Sequence, residues 1–133
     1  MEKTSGFTLI EVMVVVVILA ILAAIIVPRV MGRPEQARKV RANADILAIQ
    51  NALDLYQLDN GFYPSTQQGL NALVTKPTDD PVPENWEPQG YLKTLPHDPW
   101  GKTYRYANPG QHGLIDIWSE GKNGQENEII GNW

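Results

Sequence analysis

Apolar residues run almost unbroken over positions 7–27, where only Thr8 and Glu11 are polar. About 21 such residues form a helix of ~31 Å, which matches the hydrocarbon core of a bilayer. The β-branched cluster at 14–18 would weaken a helix in water. In lipid every backbone group must bond within its own segment, so a lone apolar stretch can only be a helix. A secretory signal peptide has a shorter apolar core with its cleavage site behind it. Here the run leads instead into Val27-Pro28-Arg29 and more helix-forming sequence. The remainder is too small to surround so long an apolar rod, so the pattern predicts a membrane-spanning helix. Glu11 is its odd member, because an acidic residue in lipid costs ~2.5–3.5 kcal/mol on insertion scales and needs a partner. One turn into the run, it lies near the positive end of the helix dipole and within reach of any amine there.

Pro28, Gly32 and Pro34 then mark a kink or a local break. From 35 to 58 the 3–4 period returns. Val40, Ala44, Leu47, Asn51, Leu55 and Leu58 predict the face packed on the chain's own domain. Ile46, Ile49, Leu53 and Tyr56 widen it enough to leave a second surface for neighbouring subunits. Asp59-Asn60-Gly61 ends this helix with residues that tolerate a left-handed backbone. Ser65 or Thr66 caps a short helix running to about Val74, closed by Lys76-Pro77. Positions 78–89 read as a Pro- and acid-rich loop anchored by Trp86. Strands follow at 103–107 and 114–119 across the turn signal Asn108-Pro109-Gly110, and a third, short one uses Ile129, Ile130 and Trp133.

Composition narrows the function classes. A chain of 133 residues with one spanning helix has room for a single small soluble domain. Its net charge of -4 and pI near 5.1 give no electrostatic case for nucleic acid. It has no cysteine, so no disulfide framework. His97 and His112 stand apart in turn-rich sequence, with no nucleophile–base–orienter set, so the chain reads as a non-enzyme. Arg29, Arg33, Arg38, Lys39 and Arg41 follow the apolar run, and charge counting alone would place that side in the cytoplasm. The loop 120–128 is polar but does not match an EF-hand.

The stretch Gly6-Phe7-Thr8-Leu9-Ile10-Glu11-Val12-Met13-Val14 resembles the signal of type IV pilins and pseudopilins. Three further stretches resemble the major pseudopilins of type II secretion systems: Tyr56 through Leu70, Leu95-Pro96-His97-Asp98-Pro99-Trp100-Gly101, and Ile130-Gly131-Asn132-Trp133. The resemblance covers nearly the full chain. It implies an α+β, type IV pilin-like fold, in which a long N-terminal membrane-spanning helix continues into an amphipathic helix packed on a small antiparallel β-sheet. It implies a leader at 1–6, a transmembrane and assembly helix at 7–34 interrupted at 28–34, and a periplasmic domain at 35–133. A prepilin peptidase would cut between Gly6 and Phe7 and methylate the new Phe7 amine, and Glu11, the fifth mature residue, would serve assembly.

The implied function is that of major structural subunit of the periplasmic pseudopilus, a homo-oligomeric helical filament that helps drive folded proteins across the outer membrane. Implied partners are minor pseudopilins, the prepilin peptidase, the inner-membrane assembly platform and the membrane itself. The implied location is the inner membrane, single-pass, with the C-terminal domain in the periplasm, opposite to the topology from charge counting. The resemblance also implies calcium in the last loop: Asn123 stands at an aspartate position, Glu120 and Gln125 at carbonyl-donating ones, Glu128 at an acidic one and Glu126 at a polar one. A second acidic position is Ile129, which has no oxygen on its side chain. Alternatives are a type IV pilin of a surface fibre and a membrane-anchored periplasmic binding domain or enzyme. Type IV pilins usually carry a C-terminal disulfide loop, which a cysteine-free chain cannot form.

The assembled chain is expected to begin at N-methylated Phe7, and Gly6→Val to block the cut through its bulk at the scissile bond. Intact-mass measurement of filaments still carrying residues 1–6 would refute this.

Overall fold

The computed structural model describes residues 6–30 and 33–133, and only the backbone at 25–30 and 33. The expected leader apart from Gly6, and Met31 and Gly32 of the expected break, lie outside the described residues. The chain divides into two compact units, Met1–Ala37 and Arg38–Trp133.

Helix α1 spans Leu9–Val30 and includes Pro28. All its described side chains, through Ala24, are exposed within this chain. Among the described residues no helix is long and apolar enough to cross a membrane. Helix α2 spans Arg33–Asn60. Pro34 falls in its first turn, where a missing N–H leaves no intrahelical bond unmade. Its end coincides with the expected stop, and the Gly61 N–H bonds the Gln57 carbonyl at 2.7 Å.

The core corrects the sequence reading of α2. The buried residues are Ala42, Ile46, Ile49, Ala52, Leu53 and Tyr56. Val40, Leu47, Leu55 and Leu58, expected to pack inward, are 53–78% exposed. At 3.6 residues per turn the two stripes project roughly 180° apart, so α2 is apolar on opposite faces. Periodicity identifies both stripes and cannot say which one the sheet covers.

The sheet has three strands in the order β1-β2-β3: β1 at Arg105–Ala107, β2 at Asp116–Ser119 and β3 at Ile130–Gly131, all antiparallel. Alternation decides its inner face. Tyr106 lies opposite Ile117, both buried in one cluster with Ile46, Ile49, Leu53 and Tyr56 of α2, while Arg105 between Tyr104 and Tyr106 is exposed. Two buried phenols keep polar partners, Tyr104 Oη donating to Asp45 Oδ2 at 2.7 Å and Tyr106 Oη to the Pro64 carbonyl at 2.6 Å, whereas the Tyr56 hydroxyl has none among the described residues. Burial pushes both phenols well above their usual pKa.

The connections explain why the strands are shorter than expected. Thr103 forms only an isolated bridge with His97. The Gly110 N–H bonds the Leu114 carbonyl, and the turn between them wraps the buried Asp116. The helix expected from 65 or 66 to Val74 is two pieces. Ser65 and Gln68 do form a reciprocal cap, with the Gln68 N–H to Ser65 Oγ at 3.1 Å and the Ser65 N–H to Gln68 Oε1 at 3.0 Å. Gly69 then takes φ of 65°, ending the turn before a 3₁₀ segment at Leu70–Leu73. Trp86 anchors its loop as expected, donating Nε1–H to the Ala72 carbonyl at 2.8 Å and meeting Tyr91 edge to face.

Two side chains join the C-terminal stretch to the rest. Asn132 accepts the Ile117 N–H at 3.0 Å and donates to the Ile115 carbonyl at 3.1 Å and Gln50 Oε1 at 2.8 Å. Trp133 stacks on the His112 ring at 3.8 Å, and His112 Nδ1 lies 2.9 Å from Asp116 Oδ2.

Asn132→Ala removes the partners of buried backbone groups, so a loss of about 1–3 kcal/mol is expected. That is a fall of roughly 4–8 °C per kcal/mol in the thermal midpoint. An unchanged midpoint would show that the three bonds hold nothing. Asp116 supplies a pH test. Burial alone would raise its pKa, but the His112 ring and the N–H groups of Gln111 and His112 outweigh burial and hold it below the usual carboxylate value. An unfolded Asp titrates near ~3.9, so this stabilisation is complete above that pH and is lost as pH falls through the lower folded value. The midpoint should therefore drop below about pH 4, and less steeply in Asp116→Asn; identical acid profiles would refute the assignment.

Candidate functional site

The two ends of the chain carry the residues singled out by sequence. At the N-terminal end, Gly6, Phe7 and Thr8 are non-helical and precede α1. Nothing lies within 4 Å of where a Cβ on Gly6 would sit. The described fold therefore gives no steric reason for glycine there. Phe7 is 83% exposed.

Glu11 has a partner within its own chain that the sequence reading missed. The Glu11 N–H bonds Thr8 Oγ1 at 3.2 Å, and the Thr8 N–H reaches Glu11 Oε2 at 3.4 Å. Since α1 begins at Leu9, Thr8 is its N-cap and Glu11 the third helical residue, a reciprocal capping box. The signal was present: Thr8-Leu9-Ile10-Glu11 directly before an apolar run is the capping pattern. A shallow groove of about 270 Å³ beside Glu11 is lined by Phe7, Val12, Val15 and Val16. The carboxylate thus sits at the rim of an apolar surface that Phe7 helps to line.

At the other end, the loop between β2 and β3 contains Glu120, Asn123, Gln125, Glu126 and Glu128. Glu120 Oε1 accepts a bond from Arg105 Nε at 2.9 Å, an ion pair across the β1–β2 edge. Glu128 Oε2 accepts the Asn123 N–H at 2.7 Å, and its Oε1 lies 3.4 Å from Asn123 Nδ2. Glu126 to Glu128 form a 3₁₀ turn in which the Gln125 carbonyl accepts the Glu128 N–H at 2.9 Å. Calcium takes six to eight oxygens, several of them anionic. Among the described residues no group of three or more His, Cys, Asp or Glu side chains could hold a metal. Two carboxylates of this loop are thus engaged, Glu120 by a guanidinium and Glu128 by the Asn123 main chain. The Arg105 pairing was not legible: alternation places Arg105 outward, but nothing local names Glu120 as its partner.

The histidines remain apart from one another. His97 is exposed and offers its carbonyl to Arg41 at 3.5 Å. His112 is committed to Asp116 and Trp133. The buried Ser119 hydroxyl donates to Asp98 Oδ2 at 2.8 Å and accepts the Gly121 N–H, and Asp98 also receives the N–H groups of Trp100 and Lys102. That pair tethers the 97–102 turn to β2 and is spent on structure.

Comparison with known proteins covers both ends. The family model for type II secretion system (T2SS) protein G matches residues 29–132, and the model for the prokaryotic N-terminal methylation motif matches 1–27. Type II secretion system core protein G of Pseudomonas aeruginosa is 60% identical, over 99% of this chain and 96% of that protein. The core protein G of Vibrio cholerae is 54% identical, over 100% and 94%. The crystal structure of the major pseudopilin from the type 2 secretion system of enterohaemorrhagic Escherichia coli is 47% identical and superposes with a TM-score of 0.73, over 80% of this chain and 95% of that one. Matched over its two-sided helix, its three-stranded sheet and its C-terminal tether, this chain belongs to the type II secretion system protein G family.

Proposed function

We propose that this chain is the major structural subunit of the pseudopilus of a type II secretion system, a periplasmic filament that helps drive folded proteins across the outer membrane. One observation carries the reading: two apolar surfaces are left without cover inside the chain. The described side chains of α1 are exposed throughout, and the Val40–Leu47–Leu55–Leu58 stripe of α2 is turned away from the core. Apolar surface of that extent is stable only against lipid or other protein. A subunit held in the membrane before assembly and packed against its own copies afterwards meets both needs.

The finer assignments follow from this reading. Residues 7–34 anchor the subunit in the inner membrane with 35–133 in the periplasm, and the α1 surface passes from lipid to neighbouring subunits on assembly. The prepilin peptidase removes 1–6 at the open Gly6–Phe7 bond and methylates Phe7. The new amine then competes with the Thr8 N–H for Glu11, and pairing with the Phe7 amine of an adjacent subunit offsets two charges that are costly in lipid. The outward stripe of α2 is the second subunit contact. Minor pseudopilins and the inner-membrane assembly platform are the remaining partners. The protein G match over 29–132 favours this over a type IV pilin of a surface fibre.

Glu11→Leu and Leu47→Lys test the reading together. Both variants are expected to reach the membrane, with the domain melting within about 0.5 kcal/mol of the parent, because neither side chain belongs to the core. Both should fail to form sheared filaments or support secretion. Normal filaments from Glu11→Leu would remove the carboxylate from assembly, and normal filaments from Leu47→Lys would remove the α2 stripe.

A further inference from the structure

The loop that joins β2 to β3 closes on itself, and its contacts engage two of its three carboxylates, Glu120 and Glu128. Gly121, with φ of 74°, lies so close to Glu128 that an added Cβ would stand 2.7 Å from both the Glu128 Cβ and its carbonyl oxygen. The two ends of the loop are therefore in van der Waals contact, pinched at the one residue type that permits it. The Glu128 carboxylate turns back over the loop to take the Asn123 N–H at 2.7 Å, a charge-assisted bond to the main chain. The 3₁₀ turn Glu126–Glu128 is closed by the Gln125 carbonyl, and Ser119 Oγ takes the Gly121 N–H at 3.2 Å. At the entrance Glu120 is neutralised by Arg105. Of the aligned positions, Asn123 carries no charge and Ile129 no oxygen.

We infer that this loop is held by protein contacts alone, with the Arg105 guanidinium and the Asn123 main-chain N–H doing for Glu120 and Glu128 what a divalent cation does for a carboxylate cage. A calcium ion entering here would have to take the Glu128 carboxylate, the one acidic position the resemblance leaves acidic, from the Asn123 N–H. It would gain at most three carboxylates in return, one of them on the exposed Glu126. Lys122 and the Arg105 guanidinium offset two of the three negative charges of the loop, so added calcium has little to neutralise.

The test uses the full chain in detergent micelles, melted in excess EGTA and in about 5 mM calcium chloride, with calcium titrated calorimetrically. A ligand that binds only the folded state raises stability as RT ln(1 + [L]/Kd), so a site with Kd of about 0.05 mM would shift the midpoint visibly at that concentration. The expected result is the same midpoint in both media and no binding heat. A midpoint several degrees higher in calcium, or a saturable isotherm, would overturn the inference without touching the family or the filament role. Glu128→Ala, which removes the acceptor of the Asn123 N–H, should lower the midpoint by roughly 4–8 °C in both media, and Arg105→Gln, at an exposed pair, by less, with calcium restoring neither. Unchanged midpoints in these two variants would equally overturn it, since the contacts would then hold nothing.

Discussion

The soluble part of this protein depends on one apolar seam. Ile46, Ile49, Leu53 and Tyr56 of α2 meet Tyr104, Tyr106, Ile115 and Ile117 of the sheet, and every other feature of the domain is a means of keeping them together. A sheet of three short strands has too few ladder bonds to stand by itself. It is fixed to the helix by side chains instead: Tyr104 to Asp45, Asn132 to Gln50, and the Arg41 guanidinium to the His97 carbonyl. Loops are tied in the same manner, Trp86 under Ala72 and Asp98 under Ser119. Buried apolar area supplies the attraction, and these bonds choose one arrangement among those that would bury similar area.

Much of this was legible in the residues, for different reasons at different places. The 3–4 spacing from 35 to 58 and the stop at Asp59-Asn60-Gly61 placed α2 within two residues at either end. Alternation around Tyr104-Arg105-Tyr106 and Ile115-Asp116-Ile117 placed the strands, though not their shortness, because the turn wrapped round Asp116 uses residues that look strand-like. The inward face of α2 was misread because both of its faces are apolar and only tertiary structure chooses between them. The short helix after Tyr63 was overestimated, since Gly69 ends it and a single glycine in a capped segment is a weak signal. The N-terminal residues were legible as a motif, yet the bond from Thr8 to Glu11 went unnoticed, although it needs only the spacing of three.

The two ends of the molecule solve the problem of an unpaired carboxylate in the same economical way. Glu11 is met by the Thr8 N–H at the start of a helix, and Glu128 by the Asn123 N–H in a tight loop. Each anion is held by main chain a few residues away, so neither requires a distant element to be in place first. Asp116 and Asp98 follow the same rule, taking N–H groups from residues two to five positions away. These four carboxylates therefore organise turns, whereas Asp45 and Glu120 reach distant parts of the chain through Tyr104 and Arg105.

The two apolar faces of α2 also bear on the order of events as the chain matures. A helix forms from neighbours in sequence within microseconds, whereas Asn132 and Gln50 are 82 positions apart and must wait for the chain between them to collapse. In that interval α2 exists as a rod that is sticky on both sides, with neither its sheet nor its neighbours in place. Chains crowded together at that stage would associate through whichever side met first, and the wrong side is as apolar as the right one. The feature that suits the helix to a filament thus makes the half-folded subunit hazardous to its neighbours, and prompt closure of the C-terminal strand is what keeps the inner face out of reach.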